Sequence, residues 1–188
     1  LDSLYDIKNL EMQITDYFIL KEANSFPEQI YGEILKKVMK DHVITKTNKP
    51  IHFKFLYENN GQNYFMSKPY NGVAFTTFSH IKYYDLSSEF EFKNGLLDGY
   101  YYKYNNSGVK KIVGQYEKGL MNGEWTYFYN NGEKKAVGNF INGDGSNKSE
   151  LTMIPKNGRE GEWTFWYDSG EYAFREGSVK EVSSYNNG

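Results

Sequence analysis

Residues able to carry catalysis are few and scattered in this chain of 188 residues. Three histidines, His42, His52 and His80, sit at spacings that match no metal-ligand motif. None adjoins an acidic motif that would prepare it as a general base. The chain has no Cys, which removes disulfides, thiolate zinc sites and a cysteine nucleophile together. A Gly-x-Ser-x-Gly elbow and a phosphate loop ending in Gly-Lys-Ser/Thr are both absent. Glu124 and Glu162 recur in identical Gly-Glu-Trp-Thr contexts. Two acids facing across a groove would be glycosidase chemistry, but a solvated strand acid that recurs with its repeat is the simpler reading. The expectation is a non-enzymatic protein with no catalytic residue, no cofactor and no metal.

The remaining chemistry is that of binding. Lys110-Lys111 and Lys134-Lys135 stand 24 residues apart, so a repeat of that length sets them side by side as a column able to meet an acidic partner or lipid headgroups. The equivalent of these pairs in a third copy falls at Tyr172-Ala173, which breaks the column. Aromatic residues make up 18% of the chain, with 18 Tyr, 13 Phe and 3 Trp. Rings suit half-buried pleated surfaces, so this excess together with 18 Gly points to β structure. A net charge of −2 gives no global basic footprint for nucleic acid. No apolar run reaches the roughly 20 residues of a membrane helix.

The elements that position these groups come from a repeat. Gly99-Tyr-Tyr-Tyr-Lys-Tyr-Asn-Asn-Ser-Gly108 aligns with Gly123-Glu-Trp-Thr-Tyr-Phe-Tyr-Asn-Asn-Gly132 and Gly161-Glu-Trp-Thr-Phe-Trp-Tyr-Asp-Ser-Gly170. Counted from the first Gly, rings stand at +2 (Tyr101, Trp125, Trp163) and +5 (Tyr104, Phe128, Trp166), and Gly returns at +9. Gly99 to Gly123, Gly108 to Gly132 and Gly114 to Gly138 are each 24 residues. Each unit reads as a hairpin whose tip, Asn-Asn-Gly or a variant of it, supplies positive φ. Gly119-Leu-Met-Asn-Gly123 reads as the connection to the next hairpin. Positions +2 and +5 differ by three, so a straight strand sends them to opposite faces. Either both faces are covered, or a Gly-rich bulge re-aims one ring.

These residues resemble MORN repeats, in particular the bacterial variant that runs Asn-Gly, a short spacer, Gly-x-Trp-x-x-Tyr, then Asn-Gly. Clear copies span 94–116, 118–140 and 157–177, with weaker traces at Tyr57-Glu-Asn-Asn-Gly61 and Ser67–Phe75. The resemblance implies a mainly β, meandering antiparallel hairpin array over 51–182, followed by a flexible tail at 183–188. It also implies partner binding: such repeats occur in bacterial antitoxin-like proteins and in eukaryotic scaffolds tied to membranes and protein assembly.

Residues 1–50 lack the repeat. Ser25-Phe-Pro-Glu28 has the capping-box pattern, and Ile30, Ile34, Leu35, Val38 and Met39 continue it as an amphipathic helix over about 26–40. Leu4, Ile7, Leu10, Ile14 and Tyr17 fit a second helix. Together they form a small helical cap, after which Ile51, Phe53, Phe55 and Tyr57 alternate as a half-buried strand. Between 144 and 157 an insertion delays the third copy, so that Gly123 to Gly161 is 38 residues. It is expected to project and contact a partner, or else to fold back over the aromatic sheet.

The expected function is a protein- or peptide-binding module that neutralises or scaffolds a partner. The alternative is an envelope or membrane-surface protein that binds lipid or glycan. The candidate interaction surface comprises Tyr127, Tyr129, Phe165 and Tyr167, at +4 and +6, with Leu151, Met153 and Ile154 of the insertion. The opening residue is Leu1 rather than Met, so a removed leader fits, and an extracytoplasmic bacterial setting is expected ahead of the cytoplasm.

Overall fold

The computed structural model describes residues 50–65, 67–78, 86–168 and 179–186. Both expected N-terminal helices lie outside them. The chain divides into two compact units, one of 1–86 with 92–96, the other of 87–91 with 97–188.

In the first unit, β1 (Ile51–His52) pairs in parallel with β5 (Gly72–Thr77). The strand expected through Tyr57 is broken: Phe53–Phe55 forms a 3-10 turn before β2 (Tyr57–Asn59). His52 is the cause, because its Nδ1 accepts from the Lys54 N–H at 3.1 Å and caps the turn. Phe55 is thereby buried while Phe53 stays exposed. Asn60 and Gly61, both at positive φ, turn β2 into β3 (Gln62–Phe65), which pairs with β4 (Lys68–Pro69).

The His52 ring also contacts Thr77 Oγ1 at 3.2 Å, and burial, with Lys54 adding repulsion, lowers its pKa from 6.5 to about 4. A histidine whose folded pKa is depressed stabilises the fold above its unfolded value and loses that contribution as pH falls from 6.5 towards 4. Melting midpoints should therefore fall between pH 7.5 and pH 5 by more in the native chain than in His52→Asn, which keeps a capping acceptor. Equal falls in the two proteins would show that His52 does not carry this acid sensitivity.

In the second unit the strands are sequential and antiparallel. β6 (Leu86–Lys93) contributes Ser87–Glu91, followed by β7 (Leu96–Tyr104), β8 (Lys110–Glu117), β9 (Leu120–Phe128), β10 (Lys134–Gly143), β11 (Arg159–Trp166) and β12 (Val179–Tyr185). From β7 to β12 each strand pairs with the next in sequence. Turns lie at the expected tips 106–108 and 130–132. At the first, Asn105 Oδ1 accepts from the N–H groups of Ser107 and Val109, each at 2.9 Å. Of the third tip, Ser169 and Gly170 lie outside the described residues.

Two expectations about this unit are corrected. Gly119 to Gly123 is not a connection. Lys118 (φ 49°) and Gly119 (φ 88°) alone make the two-residue turn, so Leu120–Asn122 already belong to β9 and Met121 enters the core. Gly123 (φ 69°) is instead a bulge residue, opposite the register shift between Val113 and Gln115. The second expectation concerns the third hairpin, read as spanning 157–177. Its return strand is β12, which takes in Ser183, Ser184 and Tyr185 from the segment expected as tail.

The core answers the question of +2 and +5. Burial alternates along 125–128 and 163–166, so +2 and +4 (Trp125 with Tyr127, Trp163 with Phe165) share the buried face and +5 turns to the other. Both faces carry rings, and the register shifts beside Phe128 and Trp166 place their extra residues, Lys135 and Lys180, on the neighbouring strands. Each indole lies flat on a glycine of the neighbouring strand, Trp125 on Gly114 and Trp163 on Gly138, where any Cβ would run into the ring. The indole N–H groups donate to the next carbonyl along, Gln115 at 3.2 Å and Asn139 at 3.1 Å. Tyr116, Trp125, Phe140, Trp163 and Tyr185 then pack edge to face in sequence, with centroids 5.0 to 6.4 Å apart. Tyr185 ends that row, so β12 completes the core.

Candidate interaction surface

Tyr127 and Phe165 are core residues, which removes both from the candidate surface. Their parity with the tryptophans, which suggested a widened outer face, puts them inside instead. Burial pushes the Tyr127 phenol well above its usual range. Tyr129 and Tyr167 remain half-exposed. Tyr129 donates to the Trp166 carbonyl at 2.7 Å, which fixes its ring beside the third hairpin.

The insertion folds back on the sheet. Asp144 Oδ1 accepts from the Ser146 N–H, and Asn157 donates to Ser146 Oγ at 2.7 Å, which closes its base. Lys148 and Pro155 bridge, Ser149 N–H donates to Ile154 O at 3.0 Å, and Met153 N–H donates to Ser149 O at 2.8 Å. The result is a small hairpin with 150–152 at its tip. Ile154, expected on the surface, is 1% exposed and sits in the cluster around Trp163. It buries what the sheet alone leaves open, which is why it cannot serve as contact surface. Leu151 and Met153 point the other way, 91% and 64% exposed. Met153 has φ 60°, a left-handed conformation that an unbranched apolar residue adopts only under constraint.

Arg159, which the sequence reading did not single out, ties the insertion down. Its buried guanidinium donates to Pro155 O (2.8 Å), Ile154 O (3.2 Å) and the Tyr185 hydroxyl (2.7 Å), and it lies 4.8 Å from the Trp163 ring centre. Lys135 adds a second tie, with Nζ donating to Thr152 O at 2.9 Å. A cavity of about 180 Å³ remains beside the insertion, lined by Tyr129, Lys135, Leu151, Phe165, Lys180 and Glu181 among others. It is smaller than the roughly 300–1,000 Å³ of small-molecule sites, so it suits a single side chain rather than a cofactor.

The lysine column differs from its expected form. Lys110 and Lys134 point to the other face, with Nζ 4.0 Å from the Tyr102 ring centre and 6.0 Å from that of Trp166. Lys111 and Lys135 are the extra residues of β-bulges, and Lys180 is the extra residue of the third, between the partners of Phe165 and Trp166. The column is thus continued by Lys180 and not broken at Tyr172-Ala173. The signal was present in sequence: Lys111-Ile-Val-Gly-Gln-Tyr116, Lys135-Ala-Val-Gly-Asn-Phe140 and Lys180-Glu-Val-Ser-Ser-Tyr185 share one pattern.

Glu124 and Glu162 are both exposed, on different strands. Among the described residues no group of three or more His, Asp or Glu could hold a metal ion, and no helix is long and apolar enough to cross a membrane. No family model, curated protein or solved structure matches this chain.

Proposed function

We propose that this chain is a non-enzymatic protein- or peptide-binding module, a MORN-type hairpin array whose insertion presents Leu151 and Met153 to a partner that it neutralises or scaffolds. One observation carries the reading: a loop held by Arg159, Lys135 and its own hydrogen bonds keeps two large apolar side chains in water. Apolar groups on a pre-ordered loop cost little further entropy on docking, which is what makes an effective anchor. A second reading, contact with lipid or glycan, draws on Lys135 over the Tyr129 ring (5.8 Å) and Lys180 over Tyr167 (5.5 Å).

The test places a photo-crosslinking amino acid at 151 or 153 and compares capture in source cells with Leu151→Ser/Met153→Ser. The double substitution should leave thermal stability within about 0.5 kcal/mol, because exposed side chains away from structural features carry little. One defined protein should crosslink from both positions, and its affinity should fall with the double substitution. Crosslinks to no protein, or affinity unchanged by the substitutions, would overturn the proposal.

A further inference from the structure

Lys111, Lys135 and Lys180 occupy one structural position in three successive hairpins. Their strands β8, β10 and β12 alternate with β9 and β11, so consecutive lysines stand two strand spacings apart, about 10 Å. Their hydrogen bonds and ring contacts go to neutral groups: Lys111 to Asn130 Oδ1 at 2.9 Å, Lys135 to Thr152 O at 2.9 Å, and Lys180 to the Tyr167 ring. Among the described residues none of the three forms an ion pair. Asp168 is close enough to favour the charged forms of Lys111 and Lys135, and Glu181, on the cavity wall, is hydrogen-bonded to Ser183. Burial and the neighbouring lysine nonetheless hold both ammonium groups below the usual range. Lysines that served only solubility would not need to line up in bulges where they repel one another. The fold keeps a ladder of positive charge, with a side-chain-sized cavity between Lys135 and Lys180.

We infer that the partner engages this face through an extended acidic segment, whose carboxylates recur about every 10 Å and seat on Lys111, Lys135 and Lys180. The inference rests on the binding-module reading and adds the chemistry of what is bound. In a polyproline II segment every third residue returns to the same side after about 9 Å, which matches the ladder. Aromatic rings beside the lysines, here Tyr129 and Tyr167, are the usual floor for such segments. Leu151 gives the cavity an apolar wall, suited to an apolar side chain between two acids.

The probe is a fluorescein-labelled peptide of repeated Glu-Pro-Pro, titrated against the full chain by anisotropy at low and physiological salt. Its controls are Gln-Pro-Pro and a peptide with Glu at every second position. The Glu-Pro-Pro peptide should bind best and weaken with salt. Lys111→Gln/Lys135→Gln/Lys180→Gln should reduce its affinity by at least about tenfold, whereas Lys111→Arg/Lys180→Arg, which keeps the charge and guards against loss of fold, should retain it. Equal binding of the Glu-Pro-Pro and Gln-Pro-Pro peptides, no binding of either, or binding insensitive to the triple substitution overturns the inference. So does binding to phosphatidylglycerol vesicles without binding to the peptide, which would assign the ladder to a membrane surface. If the crosslinked partner binds the triple variant as it binds the native chain, the acidic segment is excluded while the module reading stands. Failure of crosslinking at both 151 and 153 removes the module reading whatever the peptides do.

Discussion

Trp163→Ala is expected to lower stability by about 3–5 kcal/mol, the range for truncating a fully buried aromatic ring. For a chain of this size that is a fall of roughly 6–20 °C in melting midpoint. The indole is 0% exposed, meets Phe140 edge to face at 5.0 Å, and is covered by Arg159. Removal therefore opens a cavity at the junction of three hairpins and leaves the Asn139 carbonyl without its donor. The sharper test is coupling with Gly138. A Cβ there would sit inside the indole, so Gly138→Ala alone should cost about 1–3 kcal/mol by overpacking. In the Trp163→Ala background the same methyl enters vacant space and should cost little. A double-mutant cycle reads the difference. Additive losses would mean that the glycine is required by its backbone and not by the ring. Gly138 is not among the positive-φ residues, which argues for the ring.

The repeat could be read from sequence because its two ends need special chemistry. Gly108 and Gly132 serve tips at positive φ, and Gly114 and Gly138 serve indoles, so glycine recurs at a fixed 24-residue spacing whatever fills the strands between. The faces could not be read. Rings occupy +2, +4, +5 and +6 of the second copy, and composition does not reveal which of them is inside. Only the neighbouring strands do: Gly114 leaves room for Trp125 and Gly138 for Trp163, and the small Ala136 lies opposite Tyr127. Gly123 misled for a related reason. Glycine usually ends an element, but here it makes a bulge inside one. β12 was hidden because the constant period fails after the insertion. Ser183 also stands where the earlier units have Gly114 and Gly138, so the pattern lost its most visible letter. Exposure in the insertion was half legible. Leu151 and Met153 stand where an apolar loop residue was expected to stand, whereas Ile154 belongs to the core through neighbours, Arg159 and Trp163, that arrive only with the next strand.

Arg159→Leu should be comparably damaging, by about 2–5 kcal/mol, because buried acceptors left without a donor cost about 1–3 kcal/mol each. The opposite result has a physical basis, since replacing a buried charged pair with apolar groups is often neutral or stabilising. What decides is the nature of the partners. Where two side chains form a pair, both can be exchanged for hydrocarbon. Here two of the three acceptors are the main-chain carbonyls of Ile154 and Pro155, which no substitution at 159 removes, and the third is the Tyr185 hydroxyl. The leucine would fill volume over Trp163, leave the Pro155 oxygen buried without a donor, and leave the Ile154 oxygen with the Ser149 N–H alone. Arg159→Lys separates charge from geometry. One ammonium cannot reach the insertion and Tyr185 on β12 as the planar fork does, so it should recover part of the loss and no more. The insertion reports the effect locally: amide exchange at Ser149 and Met153, whose N–H groups are held within it, should speed up, and proteolysis between 144 and 157 should begin under conditions where the native chain resists. Unchanged melting together with unchanged protection of those amides would show that Ile154 alone holds the insertion to the sheet and that the guanidinium is a passenger.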